Sequence, residues 1–129
     1  MKLTNIFKQI IKEETIEKRF VVNKKNNKFQ LYINNIPASE AGFKIEQPDK
    51  WFNQKYISLF NIKTAEEFRG KGFAKNLMEQ IFNYVKNLNI NIITLIVYKN
   101  NITATRLYLN CGFEIFMDYE ESYCLIRRL

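Results

Sequence analysis

The spacing of apolar residues changes along the chain, and each change marks a new element. Between Lys28 and Ile33 every second residue is apolar, which is the period of a strand with one buried face. From Phe73 to Leu88 apolar residues recur every three or four positions, as they do along an amphipathic helix. The sequence therefore predicts a chain that contains both kinds of element.

The same patterns predict the remaining elements. The predicted strands span 19–23, 28–33, 40–46, 56–63, 92–98, 113–117 and 122–127, and the predicted helices span 4–17, 73–88 and 102–111. We expect Asn34–Pro37 to separate two strands, Gly42 to form a bulge and Gly112 to end a helix. The nearly continuous apolar run Ile92–Tyr98 suits a central strand that is covered on both faces. This order favours a single α+β domain over residues 1–129, with a mixed sheet and a parallel strand–helix–strand crossover.

Composition excludes several classes of protein. The chain has no histidine and only two cysteines, which excludes Ser-His-Asp and Cys-His catalysis, histidine metal sites and a disulfide framework. No apolar run approaches the roughly 18 to 20 residues of a membrane span, and charges interrupt the N-terminal segment too often for a secretory signal. We therefore expect a soluble cytoplasmic protein. The net charge of +7 suits an anionic ligand or nucleic acid, although a solvated surface explains it more simply.

The run Phe68–Ala74 opens the predicted helix at 73–88 and is the strongest chemical signal in the chain. It places two glycines at a helix start, where the first N–H groups lack intrahelical acceptors and the helix dipole is positive. Arg69, Lys71 and Lys75 add fixed cations at the same place. Glycine permits positive φ and a close approach of the backbone, so this turn is suited to hold a diphosphate.

Two motifs carry a family resemblance. Arg69–Ala74 fits the pattern Q/R-x-x-G-x-G/A, and Asn101–Phe113 fits N-x-x-A-x-x-L-Y-x-x-x-G-F at every specified position. Over roughly residues 28–128, the chain resembles the GNAT superfamily of N-acetyltransferases. The resemblance implies a central mixed, mostly antiparallel sheet of about six to seven strands with helices on both faces, splayed at the acetyl-CoA site. It also implies transfer of an acetyl group to a primary amine by direct attack in a ternary complex.

The resemblance assigns roles to particular residues. Tyr108 would protonate the departing thiolate, a role that suits a phenol because its reference pKa near 10 keeps it protonated at neutral pH. Without the motif, Tyr108 would be interpreted as a core residue. The residues implied to hold acetyl-CoA are Ile62, Thr64, Arg69, Gly70, Lys71, Gly72, Phe73, Ala74, Lys75 and Asn101.

The general base is left open by the sequence. Glu46, Glu66 and Glu67 are candidates by position, and each is also explained as a solvated surface charge. Cys111 is a poor nucleophile candidate, because its helix face should be buried. Glu66 stands where many members of the superfamily have proline. The segment before residue 28 also lacks the usual strand followed by two helices, so we expect an open acceptor cleft or one completed by a second subunit.

Two other functions stay open at this stage. The chain could be a catalytically weak regulatory module that binds acetyl-CoA, as a sensor or as a partner-regulated domain, or, less favoured, a basic nucleic-acid-binding domain. The acceptor could be a small molecule, a peptide or a protein. No metal and no membrane partner are expected.

Overall fold

The computed structural model describes residues 16–129, which form one seven-stranded sheet and two α-helices. The strands are β1 (Lys18–Asn23), β2 (Lys28–Ile33), β3 (Ile36–Glu46), β4 (Tyr56–Thr64), β5 (Ile92–Tyr98), β6 (Glu114–Asp118) and β7 (Ser122–Arg128), and the helices are α1 (Phe73–Asn87) and α2 (Ile102–Asn110). The strand order is β1-β2-β3-β4-β5-β7-β6. Only β4 and β5 pair in parallel, so the prediction of a mixed, mostly antiparallel sheet is confirmed.

Helix α1 connects the two parallel strands and packs on the sheet. Its fully buried side chains are Leu77, Met78, Ile81 and Val85. Tyr108 of α2 and Phe113 after α2 enter the same buried cluster, so the two helices share one core. Full burial of each such aliphatic side chain contributes about 1.5–3 kcal/mol. The predicted helix over 4–17 falls almost entirely before Ile16 and lies outside the described residues.

The first two strands form a hairpin with no helix between them. Residues 24–27 make the turn, and Asn27 adopts a positive φ of 53°. The N–H of Phe43 in β3 donates to the Asn27 carbonyl at 2.9 Å, which fixes the turn against the sheet. The departure expected from the sequence before residue 28 is therefore seen directly as a short turn between β1 and β2.

Two predictions about β3 were wrong: its first residue and the position of the bulge. The strand begins at Ile36, not at residue 40, because Asn34 and Asn35 both adopt positive φ and form a two-residue turn by themselves. Pro37 is tolerated because it lies beyond Ser39, where the pairing of β3 with β4 ends.

The bulge predicted at Gly42 lies instead in β4. Between the pairs Glu40–Lys63 and Gly42–Phe60, β4 has one residue more than β3, and Asn61 there has a φ of 48°. Gly42 has a different role, because a Cβ at this position would lie 2.5 Å from the Phe60 ring. The glycine therefore makes room for an aromatic side chain on the neighbouring strand.

The parallel strands separate just before the bulge in β4. β4 and β5 pair only at Ile57–Ile93, Ser58–Thr94 and Leu59–Leu95. Further along, β4 stays paired with β3, and β5 stays paired with β7. The prediction that β5 is covered on both faces is therefore wrong at its C-terminal end, where Ile96 and Tyr98 are each 67% exposed.

Gly112 after α2 provides a test of the fold. Its φ is 91°, and a Cβ there would lie 2.8 Å from Nε of Arg127. We expect Gly112→Ala to lower the free energy of unfolding by about 1–3 kcal/mol, through positive-φ strain and this close contact. Urea unfolding measures the loss. In an Arg127→Ala background the contact is gone, so the same substitution should cost less, and an equal cost would contradict this explanation.

Candidate functional site

The turn between β4 and α1 leaves a row of backbone N–H groups unused. A short 3-10 turn at Glu66–Phe68 leads to Gly70 with a φ of 72° and to Gly72, which has a φ of 82° and precedes the first residue of α1. Among residues 16–129, no carbonyl or side chain accepts a hydrogen bond from the amides of residues 70–75. These amides are therefore available to a ligand.

The surface in front of this turn is open. Of the atoms of residues 16–129, none lies within 4 Å of the position that a Cβ would take at Gly70 or Gly72. Arg69 anchors the turn to the end of β4, since its Nε donates to the Thr64 carbonyl at 2.9 Å. Lys71 and Lys75 are exposed beside the free amides. Cations, free N–H groups and the positive end of a fifteen-residue helix together fit a diphosphate.

Asn101 begins the second helix and acts as its N-cap. Its Oδ1 accepts from the Ala104 N–H at 3.2 Å, and its carbonyl accepts from the Thr105 hydroxyl at 2.9 Å. The backbone N–H of Asn101 donates to the Tyr98 carbonyl at 3.0 Å, but its side-chain nitrogen Nδ2 is engaged by no residue in the described part of the chain. That nitrogen is the atom of Asn101 that could contact a ligand.

Tyr108 lies in the core, 5% exposed, with its ring edge-to-face against Phe113 at 6.0 Å between centroids. It belongs to the same buried cluster as Leu59 and Leu95, the last paired residues of the separating strands. Burial, with a smaller contribution from Cys111, raises the pKa of Tyr108 to about 12. The phenol therefore stays protonated at neutral pH and is able to donate its proton.

The other predicted cofactor residues on β4 line the edge where the strands part. Ile62 is partly buried against the core. The Thr64 hydroxyl lies 3.0 Å from the Ser39 hydroxyl, which also donates to the Lys63 carbonyl. The structure thus brings the β4 residues and the glycine turn together in one continuous stretch.

The three glutamates predicted as bases have different surroundings. Glu66 and Glu67 are exposed in the 3-10 turn before the glycines, next to the anion-binding amides. Glu46 pairs with Tyr56 at the opposite end of β4, and its Oε1 accepts from the Ser58 hydroxyl at 3.0 Å. Glu46 therefore lies at the far end of β4 from the glycine turn, whereas Glu66 and Glu67 lie between β4 and that turn.

A fourth carboxylate, Glu40, was missed by sequence reasoning. It lines two cavities of about 300 and 380 Å³ and pairs with Lys28 at 2.9 Å and Lys63 at 3.9 Å. The signal was available, because Lys28, Gln30 and Glu40 fall on the polar positions of adjacent strands. Such positions share one face of the sheet.

The two cysteines do not form a nucleophilic site. Cys111 and Cys124 are free and partly buried, and burial raises the pKa of both thiols. A raised pKa keeps each group in the unreactive thiol form at neutral pH. Residues 16–129 contain no group of three or more acidic or cysteine side chains that could hold a metal ion. No helix in that range is long and apolar enough to cross a membrane.

The model of the acetyltransferase (GNAT) family matches residues 8–113. The chain belongs to the GNAT acetyltransferase family. The members of this family are acetyltransferases. No curated protein matches the chain.

Solved structures share the GNAT fold at low sequence identity. The PaiA N-acetyltransferase of Thermoplasma acidophilum, in complex with coenzyme A, is 15% identical with a TM-score of 0.69, over 79% of this chain and 60% of the other. Arabidopsis thaliana Naa50, in complex with a bisubstrate analogue, is 18% identical with a TM-score of 0.65, over 100% and 95%. The IAA acetyltransferase of Bacillus cereus is 16% identical with a TM-score of 0.69, over 88% and 99%. The chain thus spans less than two thirds of the Thermoplasma protein.

The free amides at the glycine turn of this GNAT protein lead to a binding prediction. Gly72→Ala places a methyl group in the open space in front of the turn, at a φ of 82°. We expect acetyl-CoA affinity to fall roughly 10- to 100-fold, the range for a lost hydrogen bond to a charged group. Calorimetric titration measures this change.

The matched control for this substitution is Asn89→Ala. Asn89 has a similar positive φ of 59° and lies beyond the far end of α1. The Asn89→Ala variant should lose a comparable free energy of unfolding while keeping its affinity for acetyl-CoA. Equal weakening of binding in both variants would show that backbone strain, rather than ligand contact, explains the effect.

Proposed function

We propose that this chain transfers the acetyl group of acetyl-CoA to a primary amine by direct attack, with both substrates bound together. The observation that carries the proposal is the row of free amides at residues 70–75, directly after the strand that separates from its parallel partner. An extended arm that starts at these amides would run back along β4 between the two strands. Its reactive end would then reach the point where β4 and β5 meet.

The residues of the turn and of β4 bind and orient the cofactor in this proposal. The amides of residues 70–75 hold the diphosphate, with Arg69, Lys71 and Lys75 adding charge. The main chain of Ile62 and Thr64 pairs with the extended arm, as a peptide strand pairs with a sheet edge. Asn101 contributes its free amide nitrogen. When bound, acetyl-CoA supplies an acetyl group activated as a thioester.

Tyr108 donates a proton in the same proposal. As the nitrogen–carbon bond forms and the carbon–sulfur bond breaks, negative charge develops on the leaving sulfur, and the Tyr108 hydroxyl donates to it. Burial disfavours both phenolate and thiolate, so Tyr108 is kept neutral until that charge appears. A positioned acid of this kind contributes about 10²- to 10⁴-fold in rate.

The short β1–β2 turn favours an acceptor site that is open on one side. Naa50 was solved with the bisubstrate analogue CoA-Ac-MVNAL, in which a peptide is joined to the cofactor. A small molecule, a peptide or a protein can each supply the primary amine that accepts the acetyl group. A second subunit could complete the acceptor site. The experiment that tests the function is release of free thiol from acetyl-CoA in the presence of a panel of amines. Binding of acetyl-CoA without thiol release from any amine would favour a regulatory module.

The role of Tyr108 is tested by Tyr108→Phe. We expect turnover to fall about 10²- to 10⁴-fold with little change in acetyl-CoA affinity, because only the donated proton is removed. Steady-state kinetics with calorimetry measures both quantities. Tyr84→Phe is the control, since Tyr84 packs on Phe29 from α1 and has no part in the proposed reaction. Unchanged turnover in Tyr108→Phe would reject the acid role.

The pH dependence of turnover follows from the raised pKa of Tyr108. Because burial raises this pKa to about 12, the proton-donating form persists until the pH rises through that value. We expect the rate to increase with pH as the acceptor amine loses its proton, without a decline caused by Tyr108 below about pH 11. A decline near pH 9 to 10 that disappears in Tyr108→Phe would contradict the assignment.

A further inference from the structure

A polar groove runs along β4 on the side of β3. It consists of the two cavities of about 300 and 380 Å³ that share Glu40 and Lys63, and we name it the Glu40 groove. Each cavity has the volume of a small-molecule site rather than of a protein interface. The groove is therefore large enough for a compact metabolite.

The groove lies next to the part of β4 that follows its last pair with β5. One cavity is lined by Phe60, Asn61 and Ile62, the residues at the bulge where β4 has left β5. The other extends to Thr64 and Arg69 at the start of the glycine turn. The groove therefore borders the residues of β4 along which the cofactor arm is proposed to run.

The ion pair between Glu40 and Lys63 in the groove is unusually long. Oε2 of Glu40 is tightly bound by Lys28 at 2.9 Å, but Oε1 is 3.9 Å from Nζ of Lys63. The Lys63 side chain is largely exposed, whereas that of Glu40 is mostly covered. A carboxylate oxygen has room for further donors, and an ammonium group has three of them. Both groups therefore retain capacity for a ligand.

We propose that the Glu40 groove binds the acceptor, and that this acceptor is a zwitterion of the α-amino-acid type. Its ammonium group binds Oε1 of Glu40 and its carboxylate binds Lys63, so the long ion pair is replaced by two charge-assisted contacts. The inference rests on the proposed acetyltransferase function and names its substrate class.

The charge of the groove supports this choice over a polycation. Its ionisable lining residues are Lys28, Lys63 and Arg69 against the single carboxylate of Glu40. The remaining polar lining residues are neutral amides and hydroxyls: Asn26, Asn27, Gln30, Ser39, Asn61 and Thr64. A polyamine would meet excess positive charge, whereas a free amino acid offers one charge of each sign.

The test compares free amino acids, their carboxamides and spermidine as acceptors in the thiol-release assay. We expect at least one amino acid to be acetylated with a higher kcat/KM than its carboxamide and than spermidine. Lys63→Gln should reduce the preference for acid over carboxamide about five- to tenfold, through KM, as for a partly exposed charged contact. Because the ratio of kcat/KM for the acid to that for the carboxamide is taken within each variant, the difference in basicity between the two amines cancels. Lys86→Gln, on the exposed face of α1, should leave the ratio unchanged.

Several results would overturn the inference. These are a preference for spermidine or the carboxamides in the unmodified protein, an unchanged ratio in Lys63→Gln, or acetylation of other amines without acetylation of any amino acid. Failure to bind acetyl-CoA at all would instead reject the proposed acetyltransferase function. The two hypotheses are thereby tested separately.

Discussion

The early end of the β4–β5 pairing is the constraint on which the rest of the site depends. After Leu59 and Leu95, each strand keeps its antiparallel partner and leaves its parallel one. Backbone N–H and C=O groups on the facing edges are thereby left without a strand partner, and such groups require partners when they are covered. An opening with two polar backbone edges suits an extended, amide-containing molecule, which is the form of the arm of coenzyme A. The bulge at Asn61 is the local feature that accompanies the separation.

The opening between β4 and β5 has a different chemical feature at each of its two ends. At the outer end, α1 begins with amides that no group in residues 16–129 engages, and such backbone groups suit a diphosphate without side-chain rearrangement. At the inner end, Tyr108 shares the core of Leu59 and Leu95, and that burial keeps the phenol protonated. The same packing that stabilises the domain thus prepares a proton donor.

Much of this arrangement was predictable because it depends on local sequence. The 3.6-residue period of α1 and the glycines before it fix the helix start, and Gly112 adopts the positive φ expected at a helix end. The start of β3 was not predictable from the sequence. Asn34 and Asn35 form the turn unaided, and Pro37 lies beyond the residues of β3 that pair with β4. Glu40 was missed because its importance comes from β2 and β4 on either side, which only the sheet register reveals.

The turn of the short β1–β2 hairpin lines a polar cavity beside the opening. At the start of α1, the amides of residues 70–75 are proposed to bind the diphosphate of coenzyme A. Amide chemical shifts in a backbone ¹H–¹⁵N NMR titration test this central claim most directly. On addition of coenzyme A, the account predicts that the largest changes occur at the amides of residues 70–75. Pantetheine, which lacks the diphosphate, should leave these amides nearly unchanged. Unchanged amides at residues 70–75 with saturating coenzyme A, while other residues shift, would contradict the account.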